Sequence, residues 1–482
     1  MLRSSPADGA VVSCLTSAGG STPPGEPRYY SAAAPEPVSG TGIGPFEKLE
    51  PLGAADVGDV YRARDSGLGR EVQGRPQAIF TLLPAHPMPL TVLCVATYRK
   101  GDEFLRECRR LGCRVLLLTE EKLRESDWPR DAIDAFYYLR RDMPEDDIRK
   151  GAAFMARTEH VDRIVALDDF DVELAAMLRE YLRVPGMGVT VARRFRDKLV
   201  MRETARAAGI PCPEFVHLLN HRVVAGWTDR VPPPWVLKPR SQAAAIGIRK
   251  IASPDELWRT AETLGDGQAD YLLEQFLPGG VYHVDSLAFD GRVRFAVASR
   301  YRTPPMAVAH EGGIFVTMTL PAGHPESEPL LPLNDRLLSA FGLERGASHT
   351  EFIRGHDGQW YFLETSSRVG GAYIVDVVEA ATGVNLWREW ARAEVTGTDA
   401  FALPRARERC AGIVLSLARQ EWPDTSAYTD PEIALRIRKA HHAGLIVAAD
   451  RPERVEALLD EYARRFRVDF HASAPPPERP LD

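Results

Sequence analysis

From Leu90 onward, short apolar runs alternate with segments whose apolar residues recur at helical spacing: LTVLCVATY, GDEFLRECRRLG, RVLLLTE, DDIRKGAAFMARTE, DRIVALDD and VELAAMLREYL. Buried strands separated by amphipathic helices predict a parallel, right-handed α/β layer over residues 88–190. The pattern changes near Arg194. RDKLVMRETARAAG predicts a helix ended at Gly209, and PWVLKPRSQAAAIGIRKI a strand carrying Lys238, a loop of small residues and a second strand. In SPDELWRTAETL, Ser253 and Glu256 form a capping box, with Pro254 at the first helical position. YLLEQFL and, after Pro278-Gly279-Gly280, VYHVDSLAF predict two further strands. HTEFIRGHDGQWYFLET alternates apolar and polar residues about Asp357-Gly358, a strong hairpin signal. With those two residues as the loop, Gly355 faces Trp360 and Glu351 faces Glu364. SSRVGGAYIVDVVEAATG then predicts a basic, glycine-containing turn into a helix. AGIVLSLA, AGLIVAAD and PERVEALLDEYARRF predict a small C-terminal α+β module over 406–473, ahead of a Pro-rich tail at 474–482.

Composition adds bounds. Residues 1–45 are dominated by Ser, Ala, Gly and Pro, too poor in large apolar groups to offset chain entropy, so disorder is expected there. A length of 482 residues implies two or three domains. Apolar and charged fractions of 44% and 26% are those of a soluble globular protein, and a net charge of -7 offers no basic field for nucleic acid or anionic membrane. No apolar run approaches the roughly 20 residues that span a bilayer, and the N-terminus lacks a signal-peptide apolar segment, so a cytoplasmic location is expected. Cys14, Cys94, Cys108, Cys113, Cys212 and Cys410 contain no CxxC pair, which fits reduced thiols. No Gly-x-Gly-x-x-Gly follows the first strand of the α/β layer, which excludes a dinucleotide fingerprint. Asp168, Asp169 and Asp171 follow a strand and are expected to cap the next helix rather than bind ligand.

The hairpin carries the candidate chemistry. Carboxylates directly opposite each other on neighbouring strands repel unless something compensates. A hard divalent cation does so, and Mg²⁺ is commonly held by one or two carboxylates plus nucleotide phosphates. Glu351 and Glu364 are therefore read as half of a metal-nucleotide site.

Two resemblances follow. KLEPLGAADVGDVYRARDSGLGREV, from Lys48 to Val72, resembles the glycine-rich loop of a bacterial serine/threonine kinase. Ala55 replaces the middle glycine, no lysine occurs between Lys48 and Lys100, and neither HRD nor DFG follows, so 46–87 is expected to be a kinase-like remnant or linker without kinase activity. Further on, the order Lys198, Lys238, a loop to Gly247, Glu274, His283 with Asp285, Glu351, Glu364 and Arg368 resembles the ATP-grasp superfamily from about Leu90 to Leu403.

The ATP-grasp resemblance implies an overall α/β and α+β fold: a Rossmann-like pre-ATP-grasp domain over 88–190 and a two-lobed ATP-grasp domain over 191–405. It implies ATP with Mg²⁺ or Mn²⁺. Lys198 and Lys238 would contact phosphates, and Gly247 would belong to the phosphate-covering loop, where Ala243, Ala244 and Ala245 stand for the usual glycines and serine. Glu274, Gln275, Phe276 and Leu277 would present main chain and an apolar edge to adenine. His283 and Asp285 would lie on the ribose or phosphate side; the alternative is the polar outer face of an edge strand. Glu351 and Glu364 would hold the metal, with Ser366 where the family commonly has a third, asparagine ligand. Arg368 and Lys238 would be the catalytic cations. Arg300, Arg302 and His310 lie where such ligases reach toward the acceptor, though surface salt bridging is the default expectation.

The implied function is an ATP- and Mg²⁺-dependent ligase that activates a small-molecule carboxylate as an acyl phosphate for an amine or similar nucleophile, with no nucleic-acid or membrane partner; a homodimer is compatible with it. Two alternatives stay open: an ATP-binding regulatory or scaffold protein without turnover, and a glycoside hydrolase using Glu351 and Glu364 as its dyad. The lysines and the lack of an aromatic sugar cleft count against the second.

Overall fold

The computed structural model of the chain describes residues 46–55, 58–65, 71–74 and 89–473, apart from 244–245 and 398–400. The expectations for 1–45, Cys14, Ala244, Ala245 and the tail 474–482 lie outside the described residues, as does the side chain of His310. The chain divides into two units between residues 86 and 87. In the first, β1 (Phe46–Ala55), β2 (Gly58–Asp65) and β3 (Glu71–Gly74) form an antiparallel sheet in that order. Ala55 pairs with Gly58, so the described residues of the segment likened to a glycine-rich loop lie on paired antiparallel strands.

The second unit opens with β4 (Thr91–Ala96), β5 (Arg114–Glu120), β6 (Ala135–Leu139) and β7 (Arg163–Ala166), parallel in the order β6-β5-β4-β7. Every residue of β4 is buried because both faces are covered, which is why its sequence is a continuous apolar run. Leu93 and Val95 pack with Ala152, Met155 and Ala175, from the Glu145–Met155 and Val172–Leu182 helices. Val92 and Cys94 pack on the other side with Phe104 and Cys108 of the Asp102–Arg110 helix. That core continues into the rest of the unit: Trp390 of the Leu386–Val395 helix meets Phe104 edge-on at 5.2 Å. The layer thus shares its core with the elements that follow.

Next come β8 (Phe215–His217), β9 (Trp235–Pro239), β10 (Arg249–Ile251) and β11 (Tyr271–Gln275), an antiparallel sheet in the order β10-β9-β11-β8. Trp235, Leu237 and Leu273 on one face are covered by Val224, Trp227 and Leu257 of two helices. The second of these starts at the expected capping box: Ser253 Oγ accepts from Glu256 N at 3.3 Å, and the Glu256 carboxylate accepts from Ala252 N at 2.8 Å.

The remaining strands are β12 (Gly279–Phe289), β13 (Arg292–Tyr301), β14 (Phe315–Thr319), β15 (Gly346–Gly355), β16 (Trp360–Ser366), β17 (Cys410–Leu417), β18 (Ile433–Arg436) and β19 (His442–Ala449). They form one eight-stranded sheet, β16-β15-β12-β13-β14-β17-β19-β18. The C-terminal strands extend this sheet through β14–β17 pairing, and the Pro452–Asp469 helix packs on them through Leu458, Leu459 and Phe466. No described helix is long and apolar enough to cross a membrane. The five described cysteines are free thiols.

Glu351 pairs with Glu364, but by another route than the two-residue turn expected above. Gly355 N donates to Gln359 O, so the loop is His356-Asp357-Gly358, and Gly358, at φ 79, supplies the left-handed residue that such three-residue loops need. This shifts the outer pairs by one, with Arg354 facing Trp360 and Phe352 facing Phe362. A bulge at Leu363 then restores Glu351 opposite Glu364.

Candidate active site

The helix Lys198–Ala207 starts the site. Asp197 caps it, accepting from Leu199 N at 3.0 Å, and its carboxylate also pairs with Arg240 beyond the end of β9. Lys198 N donates to Arg240 O, and Lys198 Nζ donates to Gln242 O at 2.6 Å. Those contacts aim Lys198 inward, where its ammonium lies 3.2 Å from Glu364. One helical turn on, Arg202 has no exposed surface. Its Nε lies 2.8 Å from Glu274 Oε1 without the alignment of a hydrogen bond, so the contact is ionic. Lys238, near the end of β9, approaches the other Glu274 oxygen at 2.5 Å. Three cations and two carboxylates thus meet at the join of the two antiparallel sheets.

Each ionisation follows from these neighbours. Burial opposes charge on Glu364, but Lys198 and Lys238 outweigh it and hold the carboxyl down at about 2. Burial lowers Lys238 to about 8, a shift that Glu274 opposes and Arg202 reinforces. The Glu274 side chain therefore anchors cations. Gln275 N donates to Glu214 O and Phe276 N to Pro234 O; among the described residues, none accepts from the Leu277 N–H. Phe276 lies under Lys250, whose ammonium is 4.1 Å from the ring centroid. Gly247 sits at φ 72, packed against Pro239.

Glu351 faces a different set. Its Oε1 accepts from the Tyr301 hydroxyl at 2.9 Å and lies 3.6 Å from His349 Nε2. His349 Nδ1 is 2.9 Å from Asp285 Oδ1; Asp285 Oδ2 is 2.6 Å from His283 Nδ1, and His283 Nε2 meets Thr317 Oγ1 at 2.7 Å. His283 and Asp285 are fully buried on β12, between β15 and β13, so the outer face of an edge strand is ruled out for them. Burial opposes the Asp285 charge, yet His349 and His283 hold its carboxyl well below the usual range. Burial likewise opposes the His349 charge, but Asp285 and Glu351 raise its pKa to about 9. An imidazolium lies between two carboxylates.

Arg368 follows β16, donates to Val369 O at 2.6 Å, and helps, behind Lys100, to hold the Asp168 carboxyl low against its burial. The carboxyl ends of β4 and β7 therefore meet the site, where ligands of open α/β sheets bind. Asp168 caps Phe170 N as expected, whereas Asp169 pairs with Arg196 and Asp171 accepts from Thr97 N and Oγ1: tertiary contacts in place of helix caps. Arg302 pairs with Asp460 of the C-terminal helix, and Arg300 lies exposed 3.8 Å from Glu326, so both make the surface ion pairs that were the default expectation. A separate cleft of about 570 Å³ is lined by Arg163, Arg179, Asp290, Arg345, Ser367 and Glu394 among others; neither lysine and neither paired glutamate lines it.

Sequence reasoning missed Arg202, although its i, i+4 relation to Lys198 puts both on one helix face. It also missed Tyr301, which only the sheet order brings to Glu351, and His349, which the i, i+2 alternation of one strand puts on the same face as Glu351.

No family model matches the chain. It is 26% identical over 233 residues to an L-arginine-specific L-amino acid ligase of Bacillus subtilis, covering 47% of this chain but only 56% of that protein. A D-alanine–D-alanine ligase of Neisseria gonorrhoeae is 25% identical over 211 residues, 42% of this chain and 69% of that one. An L-amino acid ligase of Bacillus licheniformis superposes with a TM-score of 0.64 at 17% identity, over 79% of this chain and 98% of that structure. The fold is that of the ATP-grasp enzymes. A second ATP-grasp structure, N5-carboxyaminoimidazole synthetase from Staphylococcus aureus complexed with ADP, matches with a TM-score of 0.60 at 15% identity, over 78% of this chain and 98% of that one. The likeness of residues 48–72 to a kinase loop finds no support among these relatives.

Proposed function

We propose that the protein is an ATP- and Mg²⁺-dependent ligase that joins a small carboxylate, of the amino-acid class, to an amine. The observation that carries this reading is the cross-strand Glu351–Glu364 pair with Lys198 against Glu364 and Lys238 one ion pair behind. The residues fit a divalent ion and a polyphosphate: two carboxylates paired across neighbouring strands, and two buried lysines whose present partners are Glu364 and Glu274. Both curated relatives are named as amino-acid ligases, which supports the substrate class.

In this reading Lys198 and Lys238 exchange their carboxylate partners for phosphate oxygens, and Leu277 N–H takes an adenine acceptor. A bound Mg²⁺ would screen the phosphates and hold the terminal one in line. The substrate carboxylate oxygen attacks the γ-phosphorus, the bond to the β–γ bridging oxygen breaks, and ADP leaves. Arg368 binds the resulting acyl phosphate through its planar fork. The amine nitrogen then attacks the acyl carbon, phosphate departs with the acyl oxygen, and the amine loses a proton. Positioning and fixed charge supply the catalysis; no nucleophilic side chain is required.

The test is ADP release with pairs of amino acids as carboxylate and amine. Glu364→Gln is expected to lower the rate by about 100-fold or more; unchanged turnover would remove the metal role.

A further inference from the structure

We propose that His349 is a nitrogen ligand of the divalent cation held by Glu351 and Glu364, completing the set at the position where Ser366 is a weak donor. This rests on the reading of the two glutamates as a metal-nucleotide site. Alternation along β15 puts His349 and Glu351 on one face, and pairing with β16 places Ser366 opposite His349 and Glu364 opposite Glu351. Four potential ligands thus occupy adjacent positions on a two-stranded ribbon.

The hydrogen bonds fix which ring nitrogen faces the ion. Asp285 engages Nδ1 at 2.9 Å, which leaves Nε2 toward Glu351. There Nε2 lies 3.6 Å from Glu351 Oε1, too far for a hydrogen bond, and 3.5 Å from the Tyr301 hydroxyl, a contact at the limit. A separation of this order suits two ligands of one ion, each roughly 2.0–2.2 Å from it. Asp285 is itself held by His283, and His283 by Thr317. A carboxylate that fixes the far nitrogen of an imidazole is the recurrent support of metal-binding histidines.

His283, Asp285 and His349 bring ligand atoms within 4.8 Å of one another, but the Asp285 carboxylate already hydrogen-bonds both imidazoles. They orient a ligand rather than enclose an ion themselves. A nitrogen donor also biases the site away from Mg²⁺ and toward ions such as Mn²⁺.

The test is pulsed electron paramagnetic resonance on the full chain with Mn²⁺ and a nonhydrolysable ATP analogue. The expected result is a directly bonded nitrogen coupling that changes from the ¹⁴N to the ¹⁵N pattern when the protein is labelled with ¹⁵N-histidine. Labelling needs no variant and separates histidine from adenine nitrogen. In a second arm, His349→Asn is expected to lower the Mn²⁺-over-Mg²⁺ preference by about tenfold while the protein still binds both ions with the analogue. Mn²⁺ held with the analogue but without a histidine coupling would overturn the ligand assignment and leave the metal-nucleotide reading standing. Failure of the wild-type chain to hold Mn²⁺ with the analogue would overturn both.

Discussion

Lys238 shows how burial and charge set function at a single residue. The residue is 3% exposed and its pKa is lowered to about 8 by burial, with Glu274 2.5 Å from the ammonium. A free lysine titrates near 10.4, so folding releases a proton between about pH 8 and 10. The unfolded chain binds more protons in that window, and this residue's contribution to stability rises with pH there. Phosphate binding runs the other way, because the neutral amine loses its attraction for the nucleotide. We predict that kcat/KM for ATP falls as pH rises through about 8, while the Lys238 contribution to unfolding free energy does not fall; a flat kcat/KM profile from pH 7 to 9 would contradict the phosphate role. Lysines 198 and 238 were legible in the sequence because each sits at an element boundary, one opening a helix and one near the end of a strand. Tyr301 was not, since its role depends on a sheet order that brings together residues about 50 apart in sequence; His349 shares a strand face with Glu351, but its tie to Asp285 comes only from the pairing of β12 with β15.

At the scale of elements, the Arg368–Gly371 turn is tied to the buried histidine-carboxylate set. A Cβ on Gly370 would lie 2.8 Å from Asp285 Oδ1 and 2.9 Å from Ile374 Cγ2, so only glycine lets the turn close over β12. Gly370→Ala is expected to displace the turn at a cost of about 1–3 kcal/mol. Because Arg368 moves with it, turnover should drop while affinity for Mg²⁺ and an ATP analogue is kept; equal losses of both would show that the turn supports nucleotide binding instead. Most elements were readable from periodicity, since β4 and β5 are continuous apolar runs and the Ser253 cap has its box. β6 was not: AFYYL is a short, half-buried edge strand whose aromatic residues carry no alternation. The hairpin shows the limit of turn rules, because the loop is one residue longer than Asp357-Gly358 implies and only the bulge at Leu363 returns the glutamates to each other.

For the second unit as a whole, three sheets bring distant segments to one place. The parallel layer offers the carboxyl ends of β4 and β7, the small sheet offers Lys238 and the Glu274–Leu277 strand end, and the large sheet offers the two glutamates. The order of these layers was readable because each has its own period of apolar residues. The continuity of β17–β19 with the large sheet was not, because the edge pairing of β14 with β17 leaves no mark in either strand's sequence. A site assembled this way should require metal and nucleotide together, each supplying charge that the other neutralises. The most direct measurement is calorimetric titration of a nonhydrolysable ATP analogue, with and without Mg²⁺, into the wild-type chain and a Glu351→Gln/Glu364→Gln variant. Mg²⁺ is predicted to tighten binding to the wild type by about tenfold or more and to leave the variant unchanged; the same Mg²⁺ enhancement in both proteins would contradict the account.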